Sequence, residues 1–243
     1  MIWLFLIAFS TPEGKLSQLP ELNAGLQQVY DAIVKPDGTV DYARLNRDKD
    51  LQKKLNRYVQ FMADVDPTSI QDPKQKIALL ANTYNVFTLT GVNKAWPVKS
   101  VRNIRVAFGF FTKKEWQLGG KKVSLNNIEN KHLRKLDQRI HVLINCASGS
   151  CPVLLPDVYT AVNVEAQMEK AMNAFLRDEK RNRFDKKTKT WHLSSIFKWY
   201  AEDWGKEADV VAYIKTYRKD LIWSPKKVTY LDYDWSLNGP TGK

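Results

Sequence analysis

The stretch from Asp72-Pro73 to Pro97 constrains this chain more than any other. Asp72 suits an N-cap, Pro73 the first helical position and Gln75 the third, while Pro97 bars the helix from continuing. Between them Ile77, Leu80, Ala81, Tyr84, Thr88, Gly91 and Val92 recur at three- and four-residue spacing, which predicts a helix to about Ala95 with one apolar stripe. Asn85 falls on the rim of that stripe, and Asn82 points further out. Two helices are expected before it, Leu16 to Val34 and Leu51 to Val65, ended by Lys35-Pro36-Asp37-Gly38 and by Asp66-Pro67. Beyond it, Trp116 to Val123 reads as a hairpin turning at Gly119-Gly120. Ser124 caps a helix through Leu136, Ile140 to Asn145 reads as a short strand, and Val164 to Leu176 as an amphipathic helix. Trp191 to Leu193 is a strand end, Ser194 caps a helix to Trp204, Ala208 to Tyr217 is a helix and Lys227 to Tyr233 a last strand. Long helices with scattered strands mean α+β, mostly helical, with a small antiparallel sheet. No repeat, low-complexity tract or linker divides residues 11–243, so one domain is expected there.

The first ten residues, Met1 to Ser10, resemble the apolar part of a secretory signal, with Ala8-Phe9-Ser10 offering small residues for cleavage. The mature chain would start near Thr11 and reside in a periplasm or outside the cell, where its two cysteines meet an oxidising compartment. The longest apolar run, Ile2 to Phe9, is far short of the roughly 18–20 residues that span a bilayer. An apolar fraction of 44% excludes wholesale disorder. With 38 Lys and Arg against 26 Asp and Glu, the chain carries +12, which favours anionic partners: cell-envelope polymer, lipid or nucleic acid. No nucleic-acid-binding motif is present. The densest basic run, Arg177 to Lys189, reads as a solvated helix end and loop.

Three polar residues stand where helical periodicity expects apolar ones. Glu129 and His132 fall within the stripe Leu125, Ile128, Leu133, Leu136, and Asp203 sits among Ile196, Trp199, Tyr200 and Trp204. A buried carboxylate costs several kcal/mol unless paired, so a cation, an imidazole or backbone donors must lie beside Glu129 and Asp203. Structural ion pairs would satisfy them as well as a reactive site would. A Glu-x-x-His step is used by di-metal bundles, but those need a second copy that this chain lacks.

Arg139 to Pro152 concentrates the reactive side chains. On a strand over 140–145, His141 and Cys146 would face opposite ways, roughly 16 Å apart, too far for a dyad. Cys151 follows the Ser148-Gly149-Ser150 loop and precedes Pro152 as an N-cap precedes a helix-opening proline. Free helix N–H groups there would stabilise a thiolate, which makes Cys151 the better nucleophile on local grounds. Two structural readings stand beside this one: a Cys146–Cys151 disulfide, or a pair of inert core thiols. Zinc lacks ligands, since the other soft donors are three scattered His. No metal or cofactor is expected.

These residues carry a resemblance to a bacterial and plant family, domain of unknown function 547, whose members are often exported. The similar segments are Leu80 to Leu89, Val98 to Ile104, Gly120 to Glu129 with Leu133-Arg134, Arg139 to Pro152, Ser195 to Trp204 and Tyr233 to Asn238. The resemblance implies that Asn85, Glu129, His141, Cys146, Cys151 and Asp203 occupy family positions, without supplying their roles. The family pattern often places a His directly after the Glu. Here Asn130 stands there, and His132 is the substitute. A papain- or transglutaminase-like arrangement is a fold-level analogy.

The leading expectation is an exported thiol-dependent hydrolase or acyl-transferase acting on an amide or ester of a peptide or cell-envelope substrate. Cys151, or else Cys146, attacks the carbonyl. His141 or His132 takes the proton, Glu129 or Asp203 orients the imidazole, and Asn85 or the N–H groups after Gly149 hold the oxyanion. The alternative is a non-catalytic envelope-binding module with a structural Cys146–Cys151 disulfide and a basic surface for anionic polymer.

Overall fold

The computed structural model describes residues 16–241, so the signal-like segment Met1 to Ser10 and the expected mature start at Thr11 lie outside the described residues. The long helices are α1 (Leu19–Ile33), α2 (Lys49–Ala63), α3 (Pro73–Ala95), α4 (Val164–Arg177) and α5 (Glu207–Tyr217). Strands β1 (Trp116–Leu118) and β2 (Lys121–Val123) form an antiparallel hairpin, with Trp116 opposite Val123. Strands β3 (Arg183–Asp185), β4 (Thr190–Leu193) and β5 (Lys227–Tyr230) form a mixed sheet in which β3–β4 is antiparallel and β4–β5 parallel. The architecture is α+β and mostly helical, with small sheets. Among the described residues no helix is long and apolar enough to cross a membrane.

Helix α3 is the hub. Asp72 caps it, accepting from the Lys74 amide at 2.9 Å. Every residue from Ile77 to Val92 is buried, because α2, α4, residues 42–47 and residues 125–133 pack around it. The single apolar stripe read from the sequence is therefore too narrow. Asn82, expected to point outward, is fully buried and bonds both backbone groups of Tyr159, donating to its carbonyl (2.8 Å) and accepting from its amide (3.1 Å). Gly91 admits Phe110: a Cβ there would lie 2.6 Å from the Phe110 ring.

Three local expectations change around the cysteines. The helix capped by Ser124 is α-helical only over Leu125–Asn127 and then widens into a π-helix, Ile128–Leu133, in which the Arg134 amide bonds the Glu129 carbonyl at 3.0 Å. Residues 140–145 are not a strand: Gln138–Val142 is a 3-10 helix capped by Asp137, which accepts from the Arg139 amide at 2.7 Å, and an irregular segment follows. A short apolar run buried on every side has no period to distinguish strand from helix. The helix after Ser194 breaks at Tyr200 into Ser195–Trp199 and Ala201–Trp204.

The chain's last described segment straps these pieces together. Asn238 accepts from the Val40 amide (3.0 Å) and donates to the Ala147 carbonyl (3.0 Å), the Leu237 amide bonds Lys99 (3.0 Å), and the Gly149 amide bonds Ser236 (2.7 Å). The strap thereby fixes Tyr233 and Trp235 beside the loop that carries the cysteines.

Candidate active site

Three asparagines build the cysteine loop. Asn85, on α3, donates to the Leu143 carbonyl at 3.0 Å and accepts from the Asn145 amide at 2.8 Å. Asn145 accepts from the Ala147 amide (2.9 Å) and from Asn238 (3.1 Å), and donates to the Pro152 carbonyl (2.8 Å). Asn238 accepts from the Tyr42 hydroxyl at 2.7 Å. Ala147 takes a left-handed φ of 64°, unfavourable for a residue with a Cβ, and the bonds on either side hold it there. Behind the loop, Arg181 donates to the carbonyls of Cys151 (2.7 Å) and Gly149 (3.0 Å) and pairs with Asp178. The solvated reading of Arg177 to Lys189 holds for most of that run, but Arg181 turns inward.

Inside the loop both cysteines are free thiols, Cys146 partly exposed and Cys151 buried. The Cys146 sulfur lies 2.9 Å from Ser148 Oγ and 3.3 Å from the Tyr233 hydroxyl, and the two hydroxyls are 3.0 Å apart. Its own amide donates to the Cys151 sulfur at 3.0 Å. Burial opposes ionisation of Cys146, but hydrogen bonds from Cys151, Ser148 and Tyr233 outweigh it and bring the thiol down to about 7. Cys151 moves the other way, well above the usual thiol range, through burial and then the neighbouring Cys146. Burial and the charge of Cys146 likewise keep the Tyr233 phenol protonated. The local ground for preferring Cys151 is absent: no helix starts at Pro152, so no helix N-terminus stands there to stabilise its thiolate.

Across the same cavity, His141 Nε2 donates to Asp203 Oδ2 at 2.8 Å, and its Nδ1 lies 3.6 Å from Glu129. Arg134 grips Asp203 with two bonds, Nε to Oδ2 at 2.6 Å and Nη2 to Oδ1 at 2.7 Å. Burial raises the Asp203 carboxyl, but Arg134 and His141 outweigh it and hold the group below its ordinary value. The cation and imidazole that the buried carboxylates demanded are these two residues. Tyr200 packs on the imidazole with ring centroids 4.1 Å apart, and Arg134 lies over the same phenol ring.

Cys146, Cys151, His141 and Glu129 line one cavity of about 200 Å³, walled by Phe111, Tyr200 and Trp235. Phe108 and Trp199, 41% and 47% exposed, frame its mouth. Trp199 stacks on Trp235 at 5.6 Å. No Lys or Arg lines the cavity among the described residues. Nor does any group of three or more His, Cys, Asp or Glu there stand close enough to hold a metal.

Of the residues singled out in the sequence, Glu129, His141, Cys146, Cys151 and Asp203 converge here. His132 does not. A π-helix advances less angle per residue than an α-helix, so the widened turn carries His132 off the inward face that Glu129 occupies. It is half-buried, its basicity lowered by burial with Asp66 opposing and Lys131, Lys135 and Lys76 adding to the fall. Asn85 is close by, and its amide oxygen and one of its two N–H groups are engaged on backbone, so it positions the loop. Ser148, Tyr233 and Arg181 were missed as site residues. Ser148 and Tyr233 stand inside segments quoted for the family resemblance, whereas Arg181 hid in a charge run.

Searches of curated proteins and of solved structures give no match. Residues 67–176 match the family described as "Protein of unknown function, DUF547". The match takes in α3, the hairpin, Glu129, His141 and both cysteines, while Arg181, Asp203 and Tyr233 lie beyond it. Over residues 67–176 the chain is therefore similar to a DUF547 domain.

Proposed function

We propose that this chain is an exported thiol-dependent acyl-transferase or hydrolase with Cys146 as nucleophile. The observation that carries the reading is the cavity that Cys146 lines together with His141 and Glu129, its sulfur 2.9 Å from Ser148 Oγ and 3.3 Å from the Tyr233 hydroxyl, contacts that bring the thiol down to about 7. Local hydrogen bonds favour the Cys146 thiolate, so its activation does not require the imidazole. The thiolate attacks an ester or amide carbonyl, and charge develops on the carbonyl oxygen as the sulfur loses its own. The hydroxyls of Tyr233 and Ser148, 3.3 and 2.9 Å from that sulfur, are then free to turn to the oxyanion. His141 keeps Nε2–H on Asp203; starting doubly protonated, it gives the Nδ1 proton, beside Glu129, to the leaving group, and the neutral ring left behind later takes one from water or another acceptor.

The rival reading, a non-catalytic envelope-binding module, draws on the exposed rings of Phe108 and Trp199 and on the basic surface. A panel of p-nitrophenyl acyl esters separates the two. The enzyme reading expects release of nitrophenol and an acyl adduct on Cys146, seen by intact mass and peptide mapping. That signal should be absent in Cys146→Ser, and in His141→Ala turnover should slow with the adduct retained. If Cys146 alkylates readily with iodoacetamide yet no ester acylates it, the acyl-transfer reading fails.

A further inference from the structure

The two thiols are disposed for a chemistry of their own. Cys146 and Cys151 close a six-residue loop whose interior is fixed by the Cys151 amide on the Ser148 carbonyl (3.1 Å) and by the left-handed turn at Ala147. The Cys146 amide bonds the Cys151 sulfur at 3.0 Å, which sets the second sulfur against the first cysteine. One sulfur is partly exposed on an open cavity, and the other is buried against it and donates to the Ile144 carbonyl at 3.8 Å. Arg181 fixes the carbonyls of Gly149 and Cys151 from behind, so the second sulfur is held in place.

We infer that Cys146 and Cys151 form a dithiol site that a small hydroperoxide oxidises to a reversible intramolecular disulfide. Accessible thiolates react first with peroxides, and a neighbouring thiol then resolves the product. The Cys146 thiolate attacks the terminal oxygen of the hydroperoxide, the O–O bond breaks, and an alkoxide or hydroxide leaves, giving a sulfenic acid on Cys146. The Cys151 sulfur attacks the sulfenic sulfur, the S–O bond breaks, and water leaves as the S–S bond forms. Two thiols have lost two electrons, and the peroxide has gained them. A dithiol reductant reverses the step by exchange. The bridge consumes the group that acyl transfer needs, so any such activity would be confined to the reduced protein. The inference shares Cys146 with the acyl-transfer reading but does not rest on it.

The test takes the reduced full chain, adds one equivalent of hydrogen peroxide, and counts thiols after denaturation. The expected result is loss of both thiols, their return with dithiothreitol, and a Cys146–Cys151 cross-linked peptide on mapping. In Cys151→Ser the reaction should stop at a Cys146 sulfenic acid that dimedone captures. The inference is overturned if wild-type protein keeps both thiols in excess peroxide, or if Cys146 proceeds to a sulfinic acid while Cys151 still titrates. Bridges between chains on a non-reducing gel, with no internal cross-link, overturn it equally. These readouts contain no acyl substrate, so failure here leaves the ester result standing, and the reverse also holds.

Discussion

Helix α3 and the segment from Glu129 to Cys151 are neighbours built by opposite means. In α3 the backbone repeats turn after turn and is buried on all sides, mostly by apolar side chains, and stability comes chiefly from area removed from water. The second segment never repeats. It passes from a π-helix to a 3-10 helix to an irregular loop, and side-chain amides and carboxylates close its backbone. Regular structure satisfies its own hydrogen bonds. The site departs from regularity and must borrow donors and acceptors from elsewhere, and Asn85 is where α3 lends them.

Two substitutions one turn or so apart on α3 should separate these roles. Leu80 is fully buried, and Leu80→Ala should cost about 2–5 kcal/mol in chemical denaturation through lost burial and a residual cavity. The pH profile of Cys146 alkylation should not move. Asn85→Ala should cost roughly 1–3 kcal/mol, because it orphans the buried Asn145 amide in the cysteine loop, while the Leu143 carbonyl keeps the Tyr159 hydroxyl. It should also disturb the Cys146 profile. If both variants left that profile unchanged, the loop would be self-supporting and the contrast drawn here would be wrong.

The next largest effect tests the charged part of the site. Asp203→Asn replaces a carboxylate held by Arg134 and His141, and should cost about 1–2 kcal/mol, toward the low end because Asp203 keeps some contact with water. The pH dependence has a definite sign. The folded Asp203 carboxyl lies below its unfolded value of about 3.9, so its contribution is complete above that pH and is lost as pH falls through the folded value. Urea titrations between neutral pH and pH 3 should show a flatter acid loss in Asp203→Asn than in wild type.

The contrast also explains how much was legible beforehand. The capping Asp72, the stop before Pro97 and the Gly119-Gly120 turn are local signals, and α3 and the hairpin follow them. Polar residues within apolar stripes identified Glu129 and Asp203 because burial of charge is costly wherever it occurs. The conformation around His141 was not legible. Whether six residues, four of them apolar, extend or coil depends on Asp137, Asn85 and Asn145 bonding across the chain, and no periodicity encodes those bonds. The surroundings of the thiols are illegible for the same reason, since Tyr233 stands 87 residues from Cys146 and reaches it through the strap.

Tyr233→Phe addresses that reach directly. In wild type, iodoacetamide alkylation of Cys146 should rise with pH around a midpoint of about 7, where an ordinary thiol has about 8.5. Cys151 and the phenols of Tyr42, Tyr84 and Tyr200, all pushed up by burial, stay protonated across this window, while His141 and Glu129 line the same cavity. Removing one hydroxyl donor to a thiolate should raise the midpoint by roughly one unit while costing little stability. An unmoved midpoint would assign the lowering to Cys151 and Ser148 alone.

The smallest expected effect lies at the mouth. Trp199 is 47% exposed and touches the site only through its rings on Tyr233 (4.7 Å) and Trp235 (5.6 Å). Trp199→Ala forfeits that contact, about 1 kcal/mol or less, and takes no hydrogen bond from the sulfur. The Cys146 midpoint should therefore stay within a few tenths of a unit of wild type, while a bulky maleimide should alkylate faster than in wild type because the opening is wider. A midpoint displaced as far as in Tyr233→Phe would mean that the aromatic mouth sets the orientation of Tyr233. The division between a polar floor that tunes the thiol and an apolar rim that only admits ligands would then have to be redrawn.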